Sequence, residues 1–298
     1  NLVNVLNKRG YDFVENKKEL EQSHAKKIWG SFADRDLAYD MDRPQTKAEQ
    51  PKLSQMTNKA ITTLSKDKDG FFLFVEGSKT DWAAHANDPV GMISDVLAFD
   101  EAVGKAVEFA KKDGNTMVIA IADHGNSGLS IGNANTTKGY DTTPVSAYIN
   151  PLKKAKMTLE GATSKLKEDL SNKEEVAALY GLTNLTPEEK AQLAKAKDKK
   201  EISAALSKLL ANRANLGFTT GGHTGEDVFL YSYGVNRPTG HFDNTDIAKH
   251  MAKSMNINLN ELTDELFIEA NKAFKGSNVT IDSKDKNNPV LVVTNNKR

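Results

Sequence analysis

Two strand-like runs stand out from an otherwise mixed chain: the unbroken apolar residues 71–75 (FFLFV) and residues 116–122 (TMVIAIA). Runs of this length suit strands buried on both faces of a parallel sheet. Between them, residues 92–112 repeat apolar side chains at Ile93, Val96, Leu97, Val103, Val107 and Ala110, and Gly114 follows. That spacing predicts an amphipathic helix with a glycine stop. Strand, helix and strand in this order predict a right-handed βαβ crossover. Upstream, Leu53, Met56, Ala60, Ile61 and Leu64 share one helical face, a helix laid over the sheet. Tyr11, Phe13 and Val14 predict a short strand, and Asn16 opens a polar helix. Residues 144–149 read as a further short strand, and residues 227–234 return the chain to the sheet. Beyond them come helices over 244–255 and 262–274, then a terminal hairpin from 279–281 and 290–293. The predicted class is α/β, with a mostly parallel central sheet and helices on both faces.

The ends of the two apolar runs carry chemistry. Glu76 closes the first, at the carboxyl edge of the predicted strand, where open α/β sheets place their ligands. Asp81 and His85 follow within DWAAH, four residues apart, so a helical turn points both side chains the same way. Such a pair can grip one metal ion. The second run ends in Asp123 and His124. Neighbours on a strand face opposite sides, so these two can share an ion only where the backbone leaves the sheet, which Gly125 permits. A third segment, Gly221-Gly222-His223-Thr224-Gly225, sets a histidine among glycines just before a strand-like stretch.

Residues 151–217 shift to Lys, Ala, Leu and Glu. Thr186-Pro187-Glu188-Glu189 is a helix start with a cap, a proline in the first turn and acids at the positive end. Asn172 opens another helix, and residues 201–210 continue the set. This predicts a helical insertion, 151–217, within an α/β core formed by residues 1–150 and 218–298. Its charges read as a solvated face. Forty basic residues balance forty acidic ones, which gives no surplus for a nucleic-acid site. The chain has no cysteine, which removes disulfides and thiolate metal sites from consideration. No apolar run approaches the roughly 20 residues that a membrane helix needs, and no signal peptide is visible.

The stretches EGSKTDWAAHANDP, LAFDEAVGKAVEFAKKDGNTMVIAIADHG and HTGEDVFLYSYG, in this order and spacing, resemble the bacterial alkaline phosphatase family. The resemblance implies that Asp81, His85 and His223 hold one zinc, while Asp123 and His124 supply part of the shell of a second. Glu76 would bind a third metal, magnesium. Trp82 falls at a variable position close to the phosphate, where an indole can offer only its N–H or its packing surface. The family's nucleophilic serine and phosphate-binding arginine lie in a segment with no counterpart here. The chain is therefore expected to be the C-terminal portion of a longer enzyme and to be inactive alone. The implied activity is hydrolysis of small phosphate monoesters through a phosphoserine, in a secreted, periplasmic or cell-surface homodimer. Two alternatives stand beside it: another superfamily metalloenzyme, a phosphodiesterase or phosphomutase, or a truncated protein that binds metal without catalysis.

Overall fold

The computed structural model describes residues 1–295 and divides into two compact units, residues 1–231 and the segment from Ser232 onward. Helices and small sheets alternate along the first unit, the α/β class that the patterning predicts. Its longest helix is Pro89–Asp113, with the Asp88 side chain accepting from the Val90 amide at one end and Gly114 in the left-handed region (φ 72°) at the other. The helix Leu53–Leu64 packs along it, and Ser54 Oγ donates to Glu101 across the contact at 2.9 Å. Lying against the same long helix is the short helix Lys79–His85.

The strands lie in small two-stranded sheets. Tyr11–Val14 runs parallel to Lys27–Gly30. Gly125–Asn126 pairs antiparallel with His223–Thr224, and Ser130–Ile131 with Leu216–Gly217. In the second unit, Asn278–Asp282 and Val290–Thr294 form the expected antiparallel hairpin, and Asn244–Ser254 the expected helix.

Four elements depart from their sequence reading. Residues 71–75 are extended but belong to no ladder, and they alternate between half-buried Phe71, Leu73 and Val75 and exposed Phe72 (54%) and Phe74 (74%). Only one face is covered, with Phe71 against Phe109 at 5.9 Å between ring centres. Because both faces are apolar in sequence, the period of two was invisible. The strand Met117–Ile121 is likewise half-buried rather than enclosed. Residues 144–149 form the helix Val145–Ile149, with Pro144 as its N-cap; valine, tyrosine and isoleucine there mimic a strand. Residues 262–274 split into Leu259–Leu266 and Ala270–Ala273, because Phe267 leaves helical geometry (φ −137°, ψ 60°).

The largest apolar core lies among the helices of residues 157–210. Met157, Val176, Tyr180, Leu182, Ile202, Leu206 and Leu210 are almost wholly buried there. The helices turn apolar stripes inward and leave most of their lysines and glutamates outside, which is how so charged a segment packs. Thr186 closes a capping box with Glu189, and Arg213 pairs with that same Glu189.

Asp95, on the long helix, is half-buried and accepts from the Asp40 amide at 3.3 Å. Burial pushes its carboxyl up to about 6, against the opposing hydrogen bonds from Ser94 and the Asp40 backbone. A raised acid favours its neutral form, so its contribution is present below pH 4 and lost as pH rises through 6. Replacing Asp95 by asparagine is expected to remove a decline in stability between pH 4 and 6. Urea midpoints measured across that window check this; an unchanged pH slope contradicts it.

Candidate metal centre

The helix Lys79–His85 starts directly after the extended residues 71–77, and Gly77 allows the close approach. A Cβ there would sit 2.9 Å from the Phe99 ring. One turn of helix then brings Asp81 Oδ2 to 3.4 Å from His85 Nε2, as the four-residue spacing predicts. Asn126 Nδ2 donates to Asp81 Oδ1 at 2.6 Å and occupies one of its two oxygens. His85 Nδ1 lies 2.8 Å from the Gly221 carbonyl. A carbonyl can only accept, so Nδ1 donates there and Nε2 is the ring nitrogen turned toward Asp81.

The strand Met117–Ile121 ends before Asp123 and His124, and the backbone bends out of the sheet at both residues. Gly125 is required here by space rather than by handedness, since a Cβ would come within 2.6 Å of Thr224 Oγ1. Left-handed geometry falls instead on Ser127 (φ 62°) and Gly128 (φ 56°). Fully buried Ser127 staples two loops together. Its N–H donates to the Gly222 carbonyl at 2.9 Å, and its carbonyl accepts from Thr219 and Thr220 at 3.0 and 3.2 Å. This clamp, with the pairing of Asn126 to His223, carries the glycine-rich loop to the helix.

Asp81, His85 and His223 are thereby brought together, each offering a ligand atom within 4.8 Å of the others, the one group of three so placed among the described residues. The His85 and His223 ring centres are 5.1 Å apart. One carboxylate and two imidazoles, facing solvent on one side, fit a zinc site that keeps an open position. His124 stacks on His223 at 3.6 Å between ring centres, and its Nε2 lies 3.1 Å from Asp123 Oδ2. Asp123 and His124 thus border the three-residue group without entering it, and the Asp123 carboxylate is 85% exposed. Glu76 is exposed at the end of the extended segment and joins no ligand group among the described residues. Trp82 is 45% exposed, with its ring 4.2 Å from Lys79 Nζ.

Three residues at the site escape sequence reasoning: Lys79, Asn126 and Ser127. Asn126 and Ser127 act through partners about a hundred residues or less than that away in sequence, in loops whose closeness no local pattern announces.

A family model described as alkaline phosphatase matches residues 1–257. Alkaline phosphatase 3 of Bacillus subtilis (strain 168) is 38% identical over 267 residues, covering 87% of this chain and 55% of the relative. Alkaline phosphatase 4 of the same organism is 40% identical over 258 residues, covering 85% and 53%. The chain thus spans about half the length of these curated relatives. Among solved structures, a cold-active alkaline phosphatase from the psychrophile Shewanella sp. superposes with a TM-score of 0.73 at 26% identity, over 85% of this chain and 62% of that one. Thermus thermophilus alkaline phosphatase, at 23% identity, gives a TM-score of 0.75 over 87% and 59%, a likeness of fold.

Proposed function

Since the chain belongs to the alkaline phosphatase family, we propose that it supplies the metal ligands of a hydrolase acting on small phosphate monoesters. The observation that carries this reading is the convergence of Asp81 and His85 from a helix with His223 from a distant loop. In this reading Asp81, His85 and His223 hold one zinc, Asp123 and His124 contribute to a second, and Glu76 serves magnesium. The donor types agree: mixed imidazole and carboxylate sets suit zinc, and a lone carboxylate suits magnesium.

A metal bound there supplies positive charge against the phosphoryl oxygens as transfer proceeds. The chain's own side chains prepare for it. The Gly221 carbonyl engages His85 through Nδ1 and so orients Nε2 as the ring nitrogen that would ligate, and the Asn126 amide fixes Asp81 with one oxygen engaged. Stacking on His124 restrains the His223 ring. Trp82 stands at the rim, where its exposed indole can border a bound ester. Among the described residues no helix is long and apolar enough to cross a membrane.

Hydrolysis of p-nitrophenyl phosphate, its bis ester and the matching sulfate ester by the full encoded protein tests the proposal. The monoester is expected to react fastest, to lose its turnover on treatment with a chelator and to regain it with zinc. Chelator-insensitive turnover, preference for the diester, or zinc binding with no hydrolysis contradicts the reading.

A further inference from the structure

Lys79 is the first residue of the helix that carries Asp81 and His85, and it is 7% exposed. Burying an ammonium is costly unless partners surround it. Here Nζ lies 2.6 Å from Asp36 Oδ2 and 3.6 Å from Glu160 Oε1, 4.7 Å from the centre of the Tyr39 ring and 4.2 Å from that of Trp82. These partners come from separate parts of the chain. Asp36 and buried Tyr39 belong to the segment after the strand Lys27–Gly30, Glu160 to the helix Leu159–Thr163, and Trp82 to the helix itself. Cation and indole are three residues apart and so adjoin, whereas Lys79 itself lies about 160° and about 120° around the helix from Asp81 and His85; Trp82, also three residues from His85, stands between the two sides. One side of the helix is therefore anchored through Lys79, and another presents the ligands.

We infer that Lys79 is a positioning residue: its ammonium, gripped by Asp36 and Glu160 and stacked under Trp82, sets the rotation of the helix so that Asp81 and His85 meet His223. Asn126 and Gly221 hold the two ligands individually. Lys79 fixes the element on which both stand. The same contact restrains the Trp82 indole at the rim. The inference rests on the proposed metal-binding role of these residues, and the test below separates the two.

Zinc dissociation constants are measured by competitive titration of metal-stripped protein, unsubstituted and with Lys79→Met or Lys79→Arg, each confirmed as folded by circular dichroism. Methionine keeps the bulk and removes the charge. It is expected to weaken zinc binding about tenfold, the lower end of the cost of losing a supporting partner, and to shift Trp82 emission to the red. Arginine can pair with carboxylates and stack on aromatic rings, so it is expected to restore both readouts. A merely structural lysine would lower the melting temperature yet leave zinc affinity of the folded protein unchanged. Should Lys79→Met fail to fold, Asp36→Asn, which removes the shorter of the two Lys79 ion pairs, is expected to weaken zinc binding in the same direction. Equal affinity in the unsubstituted protein and in the folded variant overturns the inference alone. Failure of the unsubstituted protein to bind zinc overturns the metal-site reading, and this inference with it.

Discussion

Replacing His223 by alanine is expected to weaken zinc binding by more than about 100-fold, beyond what loss of a mere supporting partner costs. His223 is the only member of the ligand group outside the helix Lys79–His85. Without it Asp81 and His85 remain a two-point grip on one helical turn, short of the three protein ligands that open zinc sites use. The loop itself should survive, because it is held by backbone bonds from Ser127 to Gly222, Thr219 and Thr220 rather than by the imidazole. His250, on the helix Asn244–Ser254, provides the control, and its replacement by alanine is expected to leave zinc binding unchanged. Competitive zinc titration of both variants distinguishes loss of a ligand from general loss of histidine. A His223→Ala protein that binds zinc within a few-fold of the unsubstituted chain contradicts the assignment.

The largest effect on stability is expected at Asp88. This residue is 1% exposed and accepts three hydrogen bonds, from the Val90 amide at 3.0 Å, the Leu159 amide at 2.9 Å and the Tyr180 hydroxyl at 2.7 Å. It caps the long helix, holds the start of the helix Leu159–Thr163 and receives the one polar atom of a tyrosine wholly inside the main core. Burial pushes the Asp88 carboxyl up, with hydrogen bonds from the Leu159 amide, the Tyr180 hydroxyl and the Gly91 and Val90 amides opposing that shift, and it pushes the Tyr180 phenol up as well. Even Gly91 is accommodated to it, since a Cβ there would approach Asp88 Oδ2 to 2.7 Å. Asp88→Ala strands three buried donors, each worth about 1–3 kcal/mol and not additive. It also removes a helix cap worth about 1 kcal/mol. A loss of about 3–5 kcal/mol follows from the stranded donors and the lost cap, measurable by urea unfolding. Asp88→Asn keeps one acceptor oxygen and is expected to cost less. A loss below about 1 kcal/mol for the alanine variant would show that the helical segment does not depend on this link.

How much of this could be read from sequence differs by the range of the forces involved. The helix Leu53–Leu64, the glycine stop at Gly114 and the capping box at Thr186 follow from rules that act within one or two turns, and all three are present. Of the group Asp81, His85 and His223, only the four-residue spacing of Asp81 and His85 was legible locally; the place of His223 beside them came from the resemblance to the alkaline phosphatase family, and the three side chains do lie together. Residues 71–75 were misjudged because apolar side chains on both faces do not reveal which face is covered. The helix Val145–Ile149 was read as a strand because five residues are too few to show a period. Lys79 and Asp95 draw their roles from partners far along the chain, Asp36 and Glu160 for one and Asp40 for the other, so no local window contains them.

Anomalous diffraction at the zinc absorption edge, from crystals of the zinc-loaded protein, addresses the metal centre most directly. A peak is expected in contact with Asp81, His85 and His223 together, with His85 ligating through Nε2. No peak at that position, or zinc held elsewhere while these three side chains stand free, would contradict the metal centre and the phosphatase function built on it.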